Sequence, residues 1–239
     1  MHPWTMQFTV DEIARRLEHG QFTQHVVVNV AKLVHMRHDL ELRSAVTSCD
    51  IINIDGMGVV FGGRFLNLDI PERVAGIDLF YRLLTLASQR GERVFLLGAR
   101  AEVLEQAVAN LRQQYPSLQI AGYHHGYFWD DEMALVDKVR QSGASMLFVG
   151  VTSPKKEQFI ERRKNQLGVK FVMGVGGTFD IVAGITRRAP VWMQRSGLEW
   201  FYRVLQEPGR MWKRYLFTNV MFLFLILREK IRPFEKRHG

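Results

Sequence analysis

The run Cys49-Asp50-Ile51-Ile52-Asn53-Ile54-Asp55-Gly56-Met57-Gly58-Val59-Val60 (CDIINIDGMGVV, 49–60) contains the choice on which the fold depends. Its first half is β-branched and continuously apolar apart from Asp50 and Asn53, as in a strand covered on both faces. Its second half spaces Met57, Val59, Val60, Phe61, Phe65 and Leu66 as a helix packed on that strand would. Between them Asp55-Gly56 is either a turn or a carboxylate held at the end of a strand.

The same alternation runs along the chain. Strand-like segments occur at 25–30 (HVVVNV), 49–54, 93–98 (RVFLLG), 118–122, 145–151 (SMLFVGV) and 169–175 (VKFVMGV). Helical patterns separate them at 31–46, 56–66, 76–90, 101–115, 130–143 and 154–167. Continuous apolar strands alternating with helices predict an α/β fold, Rossmann-like, with a mostly parallel sheet and helices on both faces. Ligands of open α/β sheets bind beyond the carboxyl ends of the strands. That rule directs attention to Asn29, Asp55, Gly98, the segment 150–157 and Gly176-Gly177. Near the start, Thr9-Val10-Asp11-Glu12 reads as a capping box opening a short amphipathic helix. No apolar signal segment occupies residues 1–20.

The charge is unevenly placed. The whole formal excess of +8 over 239 residues falls in 187–239, which holds 12 basic and 4 acidic residues. There Trp192, Trp200 and Trp212 interleave with arginines, and YLFTNVMFLFLIL (215–227) is followed by Arg228, Lys230, Arg232, Lys236 and Arg237. Thirteen helical residues rise only about 20 Å, short of a hydrocarbon core of about 30 Å. The segment reads as a helix in the interface of an anionic membrane, or as one folded back on the core or on a second subunit. We divide the chain into a domain at 1–196 and a basic, aromatic helical appendage at 197–239. A nucleic-acid-binding surface rarely contains so long an apolar run, which argues against a nucleic-acid partner. The single cysteine, Cys49, excludes an intrachain disulfide and fits a reducing compartment. A monomer and a homo-oligomer both fit these features.

Three motifs remain open between structure and chemistry. GVGGTFD (174–180) is either a tight turn or a place where backbone N–H groups and a helix start receive a diphosphate, with Phe179 and Asp180 alongside. TSPKKEQF (152–159) is either a solvated helix start at Ser153-Pro154 or a cation pair, Lys155 and Lys156, at the sheet edge beside Glu157. Arg73, in PERVAGIDLF (71–80), is either a solvated loop residue or a clamp for phosphate oxygens. The chain has no G-x-G-x-x-G spacing, no Asp-x-Asp pair and no zinc-ligand set among His35, His38, His124 and His125, and so predicts no cofactor and no metal. WDDE (129–132) reads as a helix N-terminus.

In order, Asn29, DGMGVV (55–60), ERVAGIDL (72–79), VFLLGAR (94–100), HGYF (125–128), SPKKE (153–157), GVGGTFDIVAG (174–184), RRAP (187–190) and LEWFYRVLQEPGR (198–210) resemble the WecG/TagA/CpsF glycosyltransferases of bacterial envelope polysaccharide synthesis. The resemblance covers about 25–210. It implies an inverting, metal-independent transfer from a UDP-sugar to a polyprenyl-diphosphate-linked saccharide, peripheral to the cytoplasmic face of the inner membrane. It places the general base at Asp55, substrate contacts at Asn29 and Arg73, and nucleotide contacts at Tyr127, Gly176, Gly177 and Asp180. With these we group Gly98, Lys155, Lys156, Glu157 and Phe179 as substrate-binding, and Arg203, Arg210, Lys213 and Arg214 as meeting the lipid diphosphate and membrane. The chain departs from the family at Lys156, where many members carry Gln, and at Val27, where some carry Thr. A membrane-associated subunit that binds a nucleotide sugar without turnover shares every feature except the need for a positioned Asp55.

Overall fold

The computed structural model describes residues 1–231, except for the side chains of Arg210, Met211 and Arg214. Arg232, Lys236 and Arg237 lie outside the described residues. The elements, in order, are α1 (Met6–Glu18), β1 (Thr23–Val28), α2 (Val30–His35), α3 (Leu40–Thr47), β2 (Ile51–Ile54), α4 (Met57–Phe65) and α5 (Gly76–Arg90). They continue with β3 (Arg93–Gly98), α6 (Ala101–Gln114), β4 (Gln119–His124), α7 (Glu132–Gln141), β5 (Met146–Gly150), α8 (Lys155–Arg163) and β6 (Phe171–Gly174). Last come α9 (Thr178–Val182), α10 (Val191–Arg195), α11 (Glu199–Gln206) and α12 (Pro208–Ile231).

Each strand-like segment of the sequence overlaps one strand, although β1 begins two residues before 25–30 and β4 ends two residues after 118–122. The six form a single sheet in the order β2-β1-β6-β5-β3-β4, with every pairing parallel. Successive side chains point to opposite faces, and both faces are covered. Val94, Leu96, Met146, Phe148, Phe171 and Met173 pack with Ile13 of α1, Leu83 of α5, Leu111 of α6 and Phe179 of α9. The alternate residues Phe95, Leu97, Leu147, Val149 and Val172 meet Leu135, Val136 and Val139 of α7 and Phe159 and Ile160 of α8. At the β1 end of that second face, Val26 and Val28 pack on Leu42 and Val46 of α3.

Three local expectations need correction. The N-terminal helix begins at Met6, because Thr5 rather than Thr9 caps it and accepts from Phe8 N–H at 3.2 Å. Thr9 is instead a buried bridge, donating to Thr5 O and accepting from Asn53 Nδ2 at 3.1 Å. The pattern at 31–46 is two helices, since Asp39 accepts from Leu42 N–H at 2.8 Å and starts α3 anew. Cys49 precedes its strand and is buried at the end of α3, its thiol 3.2 Å from Ala45 O.

The apolar run at 215–227 lies within α12, a helix of 24 residues. One side of α12 packs on the domain. Phe222 abuts Gly62 of α4 so closely that a Cβ there would sit 2.8 Å from its ring, and Lys230 Nζ donates to Phe65 O at 2.7 Å. The other side presents Leu216, Phe217, Val220, Leu223, Phe224 and Leu227 to solvent, positions that share one helical stripe. Among the described residues no helix is long and apolar enough to cross a membrane.

Candidate active site

The loops after β1, β2 and β6 lie side by side, because those three strands are neighbours in the sheet. Asp55 leaves β2 with its N–H still bonded to Val28 O at 2.9 Å. Gly56 then turns the chain with φ +92° and ψ 127°, a conformation L side chains rarely adopt. Gly58 lets α4 close on α2, where a Cβ would lie 2.8 Å from Val30 Cγ2. These glycines aim the Asp55 carboxylate toward the first turn of α5, whose Gly76 N–H donates to Oδ2 at 3.4 Å.

Arg73 approaches the other oxygen, its Nε 3.8 Å from Asp55 Oδ1. Its remaining nitrogens reach outward, one to Gln194 O at 3.4 Å and one to Glu199 Oε2 at 3.1 Å. Asp55 keeps 27% of its side-chain surface exposed and Arg73 only 12%. Burial pushes the Asp55 proton affinity above the usual carboxylate value; Arg73 opposes that push, Glu199 adds to it and the Gly76 bond opposes it. A carboxylate so placed is solvent-reachable, oriented and poised to take a proton.

Asn29 stands next to this pair, its Cβ 3.8 Å from where a Gly56 Cβ would be. Its Oδ1 caps α2 by accepting from Lys32 N–H at 3.0 Å. Beneath it lies a cluster only half legible in the sequence. Glu157 is buried, with one oxygen 2.8 Å from Lys32 Nζ and 2.9 Å from Lys156 Nζ. Burial alone would raise its pKa, but the two ammoniums outweigh that and hold it at about 2. Lys32 Nζ also donates to Val27 O at the end of β1. The stem of Lys156 runs under β6, where a Gly174 Cβ would lie 2.9 Å from its Cδ. The helix start at 152–159 is therefore solvated only in part: Thr152, Ser153 and Lys155 are exposed, with Lys155 Nζ 5.2 Å from the Trp129 ring, whereas Lys156 and Glu157 are core residues. The sequence signal for Lys32 is a lone lysine amid Val30, Ala31, Leu33 and Val34.

After β6, Gly176 adopts φ +57° and Gly177 caps α9 without a side-chain bond. α9 has only five residues, so its dipole is short and the glycines offer mainly backbone. Asp180 is partly exposed, whereas Phe179 is fully buried against Phe80 at 6.1 Å and supports the loop from below. Gly98 is likewise a packing residue: its φ is +138° and a Cβ would lie 2.7 Å from Gly150 Cα. Tyr127 is 67% exposed and borders a cavity of about 300 Å³ with His124, His125 and Phe128. It follows β4, the edge opposite β2, so the structure gathers Asn29, Asp55 and Arg73 but sets Tyr127 apart.

From the C-terminal segment, Arg203 reaches Glu199 at 3.9 Å, and Lys213 lies 5.7 Å from the Trp212 ring. The side chains of Arg210 and Arg214 are outside the described residues.

An all-parallel α/β sheet with an oriented carboxylate and an arginine at its carboxyl edge has the layout of a group-transfer enzyme. Residues 1–236 match the model of the Glycosyl transferase WecG/TagA/CpsF family, and the chain belongs to that family. Among curated relatives, it is 35% identical over 192 residues to the N-acetylglucosaminyldiphosphoundecaprenol N-acetyl-beta-D-mannosaminyltransferase of Bacillus subtilis, covering 80% of this chain and 74% of the relative. A protein of the same name from Bacillus spizizenii is 36% identical over 173 residues, 72% of this chain and 66% of the relative.

Proposed function

We propose that the protein transfers an N-acetylmannosaminyl group from a UDP-linked donor to an undecaprenyl-diphosphate-linked N-acetylglucosamine, in the synthesis of a cell-envelope polymer. The sugar and acceptor follow the names of the two Bacillus relatives. The observation that carries the mechanism is the carboxylate of Asp55 at the end of β2, with Arg73 beside it.

In the reaction, an acceptor hydroxyl gives its proton to Asp55 as its oxygen bonds to the anomeric carbon. The bond from that carbon to the diphosphate oxygen breaks, and its electron pair leaves with UDP. One displacement of this kind inverts the anomeric centre. Charge accumulating on the diphosphate is met by Arg73 and by the free backbone at Gly176-Gly177, with Lys155 the exposed lysine of the adjoining helix start. Asn29 bounds the substrate cleft beside Asp55. The domain ends near 196, and the appendage beyond it brings the site to the cytoplasmic face of the membrane, α12 lying in an anionic interface by its apolar stripe.

The test is a transfer assay with UDP-N-acetylmannosamine and a short-chain polyprenyl-diphosphate N-acetylglucosamine. Disaccharide-lipid product is expected from the wild type. Donor binding with no product on any lipid-linked acceptor would replace this reading with a non-catalytic sugar-nucleotide-binding subunit.

A further inference from the structure

Three arginines from different parts of the chain converge on one carboxylate beside Asp55. Arg73 precedes α5, Arg188 lies between α9 and α10, and Arg203 is in α11; all face Glu199 in the first turn of α11. The fit is incomplete. Only Arg73 reaches Glu199 at hydrogen-bond distance, 3.1 Å to Oε2, while Arg188 Nε and Arg203 stand 4.0 Å and 3.9 Å from Oε1.

Arg188 sharpens the point. Its two terminal nitrogens grip Asp78 in a bidentate pair, but its Nε is buried and has no hydrogen-bond acceptor. A buried donor left unpaired is costly, and such groups are rare unless something else completes them. Here the unpaired N–H belongs to a guanidinium next to a carboxylate too small to satisfy three of them. The charges agree: Arg73, Arg188 and Arg203 balance Asp55, Asp78 and Glu199, so removing the Glu199 charge alone leaves the group at a net +1.

We propose that Glu199 occupies a diphosphate seat built by Arg73, Arg188 and Arg203, and that a substrate diphosphate displaces it. A phosphate spreads more oxygens over a wider span than a carboxylate and suits several guanidinium forks at once. The seat deepens the transferase reading, since donor and acceptor both carry a diphosphate. It assigns Arg188 a binding role and makes Glu199 a competitor within the chain.

The test measures binding of inorganic pyrophosphate, UDP and farnesyl diphosphate to the full chain by calorimetry, in the wild type, Glu199→Gln and Arg188→Gln. Glu199→Gln is expected to tighten pyrophosphate roughly tenfold, within the usual range for coupled sites, and Arg188→Gln to weaken it by a similar factor. Tightening of UDP alone assigns the seat to the donor, and of farnesyl diphosphate alone to the lipid acceptor; either supports it. Unchanged or weaker binding of all three ligands by Glu199→Gln overturns the proposal. If that variant does not fold, unchanged pyrophosphate affinity in Arg188→Gln overturns it instead. Wild-type sugar transfer, measured in parallel, separates the two readings: transfer without these binding changes removes the seat and leaves the transferase standing.

Discussion

Lys32 and Glu157 meet at 2.8 Å with both side chains buried, 7% and 4% exposed, beneath the carboxyl ends of β1 and β6. The same Glu157 oxygen is 2.9 Å from Lys156. Glu157→Gln would remove the buried carboxylate that Lys32 and Lys156 share, and should cost about 3–5 kcal/mol. Lys32→Met leaves Glu157 still paired with Lys156 and should cost less. Urea denaturation of the two variants checks the order; equal losses would show that the cluster does not act as a charge triad.

Asp55→Asn keeps the shape of the side chain but cannot take the acceptor's proton. Its turnover should fall roughly 10²-fold or more. Arg73→Lys keeps the charge but loses the planar fork between Asp55 and Glu199, and should lower kcat by about 10²-fold. Single-turnover assays at saturating donor measure both, and near-normal rates in Asp55→Asn would remove it as the base.

His25 should govern the first stage of acid destabilisation. Its ring is buried in β1, with Nε2 2.8 Å from Asn53 Oδ1 and Nδ1 without a partner. Burial lowers its pKa from 6.5 to about 4. The unfolded chain therefore takes up a proton below pH 6.5 that the folded chain refuses until about pH 4. Stability is full above 6.5 and declines across that window by about 3 kcal/mol. Glu157 adds a second decline, from 4.5 down to about 2. Thermal melts from pH 7 to 4 should show the first decline in the wild type and a flatter curve in His25→Gln.

Gly98→Ala should destabilise by about 3 kcal/mol, the upper part of the range for overpacking, because its Cβ would meet the Gly150 backbone at a strained φ. Gly91→Ala is the comparison, at φ +69° with nothing nearer than Gln119 Nε2 at 3.7 Å. It should cost only about 1–2 kcal/mol, the price of a left-handed conformation alone. Melting curves of the two distinguish crowding from strain.

Leu223→Glu combined with Phe224→Glu breaks the exposed stripe of α12. Burial of two such side chains in an interface is worth several kcal/mol, so binding to anionic vesicles should fall at least about tenfold. Co-sedimentation with vesicles rich in phosphatidylglycerol tests it, and unchanged binding would place the membrane contact elsewhere.

The sheet was legible because most of its strands carry an apolar run, the edge strand β4 (QIAGYH) least of all, and each passage out of it carries a glycine or a cap. Asp55 was legible for the same reason, lying at the hinge between two periodicities. The break between α2 and α3 was missed although Asp39 announces it, because apolar residues continue in helical step on both sides. Lys32 and Glu157 could not be paired from sequence, since partners so far apart in the chain leave no local pattern. His25 was hidden by its strand: a run buried on both faces gives no solvent side on which a polar residue would stand out. The start of α1 was displaced from Thr5 to Thr9 because a capping box and a helix interior can share the same letters.

The strand order has a consequence for how the molecule is made. β1 and β2 join the remaining strands only through β6, the last of the six to leave the ribosome. During synthesis the first pair must wait beside an incomplete sheet while β3, β4 and β5 assemble without it. Because non-local parallel pairing is slow, Asn29 and Asp55 do not sit in a finished sheet until the chain has grown past Gly174. A nascent chain stalled before Phe171 would hold both residues and still lack the sheet that sets the loops after β1, β2 and β6 side by side.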